Sequence, residues 1–108
     1  MHAPSGGSGA GTIHHVAFRA RTTDEQKDWW SRPVAVGMQV TPVIDRQYFD
    51  AIYFRTPGGV LFEIATDAPG FAVDEDAAHL GAALKLPARY EAQRDRIERV
   101  LPEIRVPA

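Results

Sequence analysis

Two residues that could bind a metal ion each lie in the middle of an apolar segment of this chain. His15 belongs to the segment Thr-Ile-His-His-Val-Ala-Phe at 12–18, and Glu63 to Val-Leu-Phe-Glu-Ile-Ala-Thr at 60–66. Side chains of a β-strand alternate between its faces, so each residue shares a face with apolar neighbours. Burying an unpaired carboxylate costs several kcal/mol. A divalent cation would compensate Glu63, and a neutral imidazole on a neighbouring strand is a usual co-ligand.

The residues alone leave a second interpretation open for each member of this pair. His15 could be an ordinary hydrogen-bonded core histidine, and Glu63 could form a salt bridge with Arg46 or Arg55. Two side chains also fall short of a complete metal site, because transition-metal sites in proteins use three or more ligands. The pair therefore predicts part of a site.

The composition limits the class of protein. The chain has 108 residues, 44% of them apolar and 24% charged, which indicates one small globular domain or a piece of a larger protein. A net charge of -2 gives no electrostatic reason to expect nucleic acid or an anionic membrane surface as a partner. The absence of cysteine excludes disulfides, thiolate metal sites and a cysteine nucleophile. No apolar run approaches the roughly 20 residues of a transmembrane helix.

The first eleven residues differ in composition from the rest of the chain. They are rich in Gly, Ser, Pro and Ala, without a basic start or a hydrophobic centre. This composition is typical of a disordered leader and not of a signal peptide. We therefore expect a leader over 1–11, a folded module over 12–108, and a cytoplasmic protein.

The pattern of apolar and turn residues predicts the order β-α-β-β-β. Thr22 and Glu25 fit a capping box, so a helix carrying Trp29 and Trp30 should begin there, and Pro33 should end or kink it. The Thr-Pro-Gly-Gly turn at 56–59 should join the last two strands as a hairpin. The predicted strands are Ile13–Ala20, Met38–Ile44, Ala51–Arg55 and Val60–Thr66, and further helices are predicted at Asp74–Leu84 and Arg89–Leu101.

One helix can cover only one face of such a sheet. By strand alternation, the other face would carry His15, Tyr53 and Glu63. We therefore expect a second module to cover that face.

Three segments of the chain resemble the ring-cleaving dioxygenases of the hydroquinone type, within the vicinal-oxygen-chelate superfamily that also contains the glyoxalases and bleomycin-resistance proteins. They are Gly-Thr-Ile-His-His-Val-Ala-Phe at 11–18, Asp-Arg-Gln-Tyr-Phe-Asp-Ala-Ile-Tyr-Phe-Arg at 45–55, and Pro-Gly-Gly-Val-Leu-Phe-Glu-Ile-Ala-Thr-Asp at 57–67, followed by Pro-Gly-Phe at 69–71. The resemblance implies an α+β fold: a single βαβββ module with C-terminal helices, paired with a second module by dimerisation. It corresponds to the last of the modules that such enzymes carry.

The resemblance also implies roles for five residues. His15 and Glu63 would bind a divalent metal, Fe(II) by preference, with Mn, Ni, Co or Zn as alternatives, and the remaining histidine ligand of the family would be missing from this chain. Tyr53, Arg46 and His14 would surround a bound aromatic diol, orienting it or moving protons. Strand alternation alone turns His14 away from His15 and toward the helix, Tyr53 could simply pack in the hairpin, and Arg46 could be a solvated loop residue.

Three functions follow from these expectations. The first is a ring-cleaving dioxygenase module that uses O2 on a hydroquinone or catechol and depends on a companion chain for the missing histidine. The second is a homodimeric glyoxalase-like or epimerase-like metal protein with a shared site of two histidines and two glutamates. The third is an inactive truncated module that only dimerises or binds a small ligand.

Overall fold

The computed structural model describes residues 3–4 and 6–105, and the chain divides into two compact units, the first ending at Gly70 and the second beginning at Phe71. The predicted leader over 1–11 therefore lies partly outside the described residues. The first unit has the predicted β-α-β-β-β order and α+β composition. Its elements are β1 (Val16–Ala20), α1 (Thr23–Ala35), β2 (Ile44–Asp45), β3 (Phe49–Arg55) and β4 (Leu61–Pro69).

The four strands form one mixed sheet in the order β1-β4-β3-β2. β4 lies inside the sheet, parallel to β1 and antiparallel to β3, and β2 pairs antiparallel with β3. The predicted hairpin is confirmed: Gly59 N donates to Thr56 O at 2.8 Å, and Gly59 has a φ of 85°, which glycine adopts without steric cost. A residue in the middle of β4 is therefore flanked by a strand on each side.

Helix α1 begins where the capping pattern predicted. Thr22 Oγ1 accepts a hydrogen bond from Glu25 N at 3.1 Å, and Glu25 Oε2 accepts one from Arg21 N at 2.7 Å. The return bond thus reaches one residue further back than in a standard capping box. Pro33 does not end the helix, because α1 continues for two residues beyond it, to Ala35.

The hydrophobic core lies on the sheet face that α1 covers. Ala20, Ile52 and Ile64 are buried there, with Val40 and Phe54 packed against them. The register places Ile52 opposite Ile64, and Ala20 pairs with Thr66, two residues further along β4. Because neighbouring residues of a strand point to opposite faces, the residues next to Ile52 and Ile64 lie on the other face.

A buried side chain joins α1 to this sheet. Gln26 Nε2 donates to Asp50 O and to Ile64 O, each at 2.9 Å. An amide that bonds two strands at once restricts where the helix can lie. The Gln26 contacts therefore hold α1 against this face of the sheet, and α1 does not cover the opposite face.

Two strand predictions need correction. Met38–Ile44 is not a strand: regular pairing is confined to β2, with one isolated bridge between Val40 and Phe54. Pro42 cannot donate to a ladder, which explains the interruption. The first strand also begins at Val16 and not at Ile13, so the two histidines precede it.

The second unit contains short helical segments. They are three 3-10 segments, Phe71–Val73, Ala77–His79 and Ala88–Gln93, and the helix α2 (Arg94–Val100). The predicted helix at Asp74–Leu84 is wrong, since only one turn forms there, whereas the helical prediction for Arg89–Leu101 is largely confirmed. No residue between 71 and 105 is buried. Among the helices of residues 3–4 and 6–105, none combines the length and the hydropathy that a membrane-spanning segment requires.

Candidate functional site

His15 and Glu63 meet on the sheet face that α1 leaves open. His15 Nε2 lies 2.9 Å from Glu63 Oε2. The carboxylate comes from the middle of the internal strand β4, and Glu63 is only 4% exposed. His15 reaches it because β1 runs parallel to β4 with Ala17 opposite Glu63. The side chain of His15 is 38% exposed, so its ring is partly accessible to solvent.

The second oxygen of the Glu63 carboxylate is bound by a tyrosine. Tyr53 lies directly opposite Glu63 in the β3–β4 register, and its hydroxyl donates to Glu63 Oε1 at 2.9 Å. Arg55, a possible salt-bridge partner, instead donates to Gly59 O at 3.0 Å. The buried carboxylate is thus compensated by an imidazole and a phenol.

Arg46 is attached to the same cluster through Tyr53. Its Nε donates to the Tyr53 hydroxyl at 3.1 Å, and its guanidinium carbon lies 5.2 Å from the centre of the Tyr53 ring. Tight backbone contacts hold this residue: Arg46 N donates to Phe49 O at 2.9 Å, and Gln47 N donates to Asp45 Oδ1 at 2.7 Å. Gln47 adopts a φ of 71°, a conformation that side chains other than glycine seldom take. Arg46 therefore has a defined position and is not a freely solvated side chain.

His14 contacts its neighbour, contrary to the expectation from strand alternation. The Nδ1 atoms of His14 and His15 lie 2.9 Å apart, with the two rings perpendicular. Alternation fails here because both histidines precede β1, so the pleat of the strand does not set their directions. The five residues singled out from the sequence thus form one continuous chain of polar contacts: His14, His15, Glu63, Tyr53 and Arg46.

The protonation of Tyr53 follows from its surroundings. Burial raises the pKa of the Tyr53 hydroxyl, and the neighbouring Glu63 carboxylate raises it further, while Arg46 acts in the opposite direction. The raised pKa keeps the hydroxyl protonated at neutral pH. Tyr53 is then a donor to Glu63 and an acceptor from Arg46.

The distance between His15 Nε2 and Glu63 Oε2 is compatible with both atoms binding the same metal ion. Two ligand atoms that bind one ion at about 2.1 Å and at right angles are about 3 Å apart, close to the 2.9 Å between His15 Nε2 and Glu63 Oε2. Imidazole nitrogen and carboxylate oxygen suit divalent first-row metals. Across residues 3–4 and 6–105, no group of three or more His, Cys, Asp or Glu side chains is arranged to hold a metal ion. The described part of the chain thus offers two ligand atoms of this kind at one place.

A cavity adjoins the cluster on its tyrosine side. It has a volume of ≈ 600 Å³ and is lined by Tyr53, Arg55 and Leu61 together with Met38–Thr41 and residues 54, 56 and 57. Thr41, which sequence reasoning did not single out, fixes the backbone here: its Oγ1 accepts from Tyr53 N at 3.0 Å. In the sequence, Pro42 indicated an irregular or edge strand, but no sequence signal identified Thr41.

Comparison with known proteins is consistent with this geometry. A family profile described as the Glyoxalase/Bleomycin resistance protein/Dioxygenase superfamily matches residues 1–64. The chain is 53% identical over 96 residues to the protein named "Putative ring-cleaving dioxygenase MhqO" of Bacillus subtilis (strain 168), covering 89% of this chain and 31% of that protein. It is 38% identical over 96 residues to the chlorohydroquinone/hydroquinone 1,2-dioxygenase of Sphingobium indicum, covering 86% of this chain and 29% of that protein.

A solved structure agrees with both comparisons. The crystal structure of a "putative dioxygenase" from Bacillus subtilis superposes with a TM-score of 0.85 at 51% identity, over 93% of this chain and 32% of that one. The chain thus spans about a third of the length of the relatives it matches. By its matched profile, its fold and these relatives, the chain belongs to the Glyoxalase/Bleomycin resistance protein/Dioxygenase superfamily.

Proposed function

We propose that this chain is the metal-binding module of a ring-cleaving dioxygenase that acts with O2 on an aromatic diol of the hydroquinone or catechol type. The observation that carries the proposal is the convergence of His15 Nε2 and the buried Glu63 Oε2 at 2.9 Å on the sheet face opposite α1. The names of the relatives support the reaction type, and one of them is named for hydroquinone.

In this proposal, His15 and Glu63 bind a divalent cation, and Fe(II) is the metal that a two-histidine, one-carboxylate site favours. When bound, the cation supplies the redox chemistry that links the diol to dioxygen. Tyr53 holds the Glu63 carboxylate in place through Oε1, and Oε2 lies 2.9 Å from His15 Nε2. The two ligand atoms are therefore oriented before the cation arrives.

Arg46 and His14 take the substrate roles. The guanidinium of Arg46, held against Tyr53, provides positive charge near the anionic oxygen of a deprotonated diol. The exposed His14 ring, bound to His15 through Nδ1, presents its Nε2 to the diol as a hydrogen-bonding group that orients it.

The site needs a third protein ligand, which we propose comes from a module outside residues 1–108. Relatives with this module are about three times longer than the part they share with it, and the remaining modules, on a companion chain or elsewhere in the same protein, are the source we favour. A second copy of this chain is the alternative, since a two-fold axis would bring two histidines and two glutamates together. That arrangement would suit isomerase or epimerase chemistry.

Metal loading and oxygen consumption test this proposal. The purified chain is reconstituted anaerobically with Fe(II), bound iron is measured, and oxygen uptake is followed after hydroquinone is added. We expect His15→Ala and Glu63→Gln each to abolish iron binding, whereas His79→Ala, which alters an exposed histidine bonded to Asp76, leaves it unchanged.

The outcomes separate the alternatives. Oxygen uptake that requires a companion chain would support the dioxygenase module. About one metal ion per two chains without oxygen uptake would favour the symmetric dimer. If His15→Ala or Glu63→Gln leaves iron binding unchanged, that result contradicts the proposed metal site.

A further inference from the structure

We infer that His14 is a positioning residue for the metal site: its Nδ1 fixes the ring of His15 and serves as the acceptor for the His15 proton when Nε2 binds a cation. This inference rests on the proposed metal site and adds to it a hydrogen-bonding role for His14, distinct from any contact of His14 Nε2 with substrate. The observation that carries it is the 2.9 Å distance between the two Nδ1 atoms.

The hydrogen-bonding capacity of imidazole determines the direction of this contact. A neutral imidazole has one N–H donor and one acceptor nitrogen. Without a metal ion, His15 Nε2–H donates to Glu63 Oε2, so His15 Nδ1 carries no proton and accepts from His14 Nδ1–H. Both ring nitrogens of His15 are then satisfied by protein groups.

Binding of a cation at His15 Nε2 reverses the contact. The nitrogen that coordinates must be unprotonated, so the single proton of His15 lies on Nδ1 and is donated to His14 Nδ1. The single proton of His14 correspondingly lies on its Nε2. Each ring carries one proton before and after, so both rings change tautomer and neither changes charge. His14 is exposed, which allows the protons to exchange through water.

His14 suits this role better than solvent does. A water molecule could satisfy His15 Nδ1, but it would not restrict rotation of a side chain that is 38% exposed. The perpendicular ring of His14 fixes one nitrogen of His15 while Glu63 lies at the other. Removal of such an outer partner of a ligating histidine typically weakens metal binding by 10- to 100-fold.

Metal affinity, and not turnover, provides the test. Co²⁺ is titrated into the wild-type chain, His14→Leu, His14→Asn and the control His79→Leu. We expect His14→Leu to weaken binding by roughly 10-fold. His14→Asn should recover most of the affinity, because its Oδ1 can accept the His15 Nδ1–H, and His79→Leu should match the wild type.

Nitrogen chemical shifts of His15 provide a second readout. In the metal-free chain, Nε2 should be the protonated nitrogen, and after addition of Zn²⁺ it should be Nδ1. Three results would overturn the inference while leaving the metal site intact. They are an unchanged Co²⁺ affinity in His14→Leu, equal losses of Co²⁺ affinity in His14→Leu and His14→Asn, and the same His15 tautomer with and without Zn²⁺. Co²⁺ binding that does not depend on His15, tested with His15→Ala, would instead contradict the proposed site itself.

Discussion

The two units of this chain are ordered by different interactions. The first unit buries apolar side chains on one sheet face and a carboxylate, Glu63, on the other. The second unit buries none of its residues between 71 and 105. Its Arg94 side chain donates hydrogen bonds to the Glu91 and Glu98 carboxylates and to Leu84 O. The buried Glu63 carboxylate and its two partners lie in the sheet unit, which is where we propose the metal site.

The largest expected contrast between the units comes from truncating an isoleucine in each. Ile52→Ala removes a fully buried side chain and should lower the free energy of unfolding by about 2–5 kcal/mol. Ile104→Ala alters a side chain that is 82% exposed and should change it by less than about 0.5 kcal/mol. Urea denaturation of both variants measures the difference. Similar losses would show that the second unit contributes to the same cooperative core.

A second contrast compares two tyrosine hydroxyls. Tyr53→Phe leaves the buried Glu63 carboxylate without one of its two donors and should cost about 1.5–3 kcal/mol of stability in the metal-free chain, as expected for a hydrogen bond to a charged group. Tyr90→Phe, in the second unit and at a residue 40% exposed, should be close to neutral. Thermal and urea unfolding of both variants measure the effect. A neutral Tyr53→Phe would mean that solvent replaces the lost donor, against the buried character of the site.

The smallest expected contrast concerns two exposed carboxylates. A hydrogen bond and charge from Arg19 lower the pKa of Asp67, and the same interactions from Arg94 lower the pKa of Glu91. A lowered folded-state pKa favours the ionised form, so each pair contributes stability above the unfolded-state pKa and loses it as pH falls through the folded-state value. Both carboxylates are solvent-exposed, and the contribution of each pair to stability is therefore small.

Carbon-detected NMR titration resolves the two carboxylates. Arg19→Gln should return only the Asp67 pKa toward its usual range, and Arg94→Gln only that of Glu91. If either substitution shifts both pKa values, the two units do not titrate independently.

Local sequence signals predicted those parts of the fold that depend on neighbouring residues. Thr22 and Glu25 correctly marked the start of α1, and the turn at 56–59 correctly joined β3 to β4. The helix predicted at Asp74–Leu84 does not form as one helix. Most helices gain their stability by burying an apolar face, and no residue of this segment is buried. Strand alternation placed Tyr53 and Glu63 on one face, as observed, but could not describe His14, which lies before its strand begins.

The amino-acid sequence by itself determined which residues could do the chemistry and on which face of their strands Tyr53 and Glu63 would lie, because alternation and capping act over a few residues. The tertiary structure alone decided that His15 and Glu63 meet at 2.9 Å, since that depends on the parallel register of β1 with β4. It also decided that Arg46 lies against Tyr53, through the conformation of the chain around Gln47. Contacts between distant segments depend on packing of the whole sheet, which no short stretch of sequence specifies.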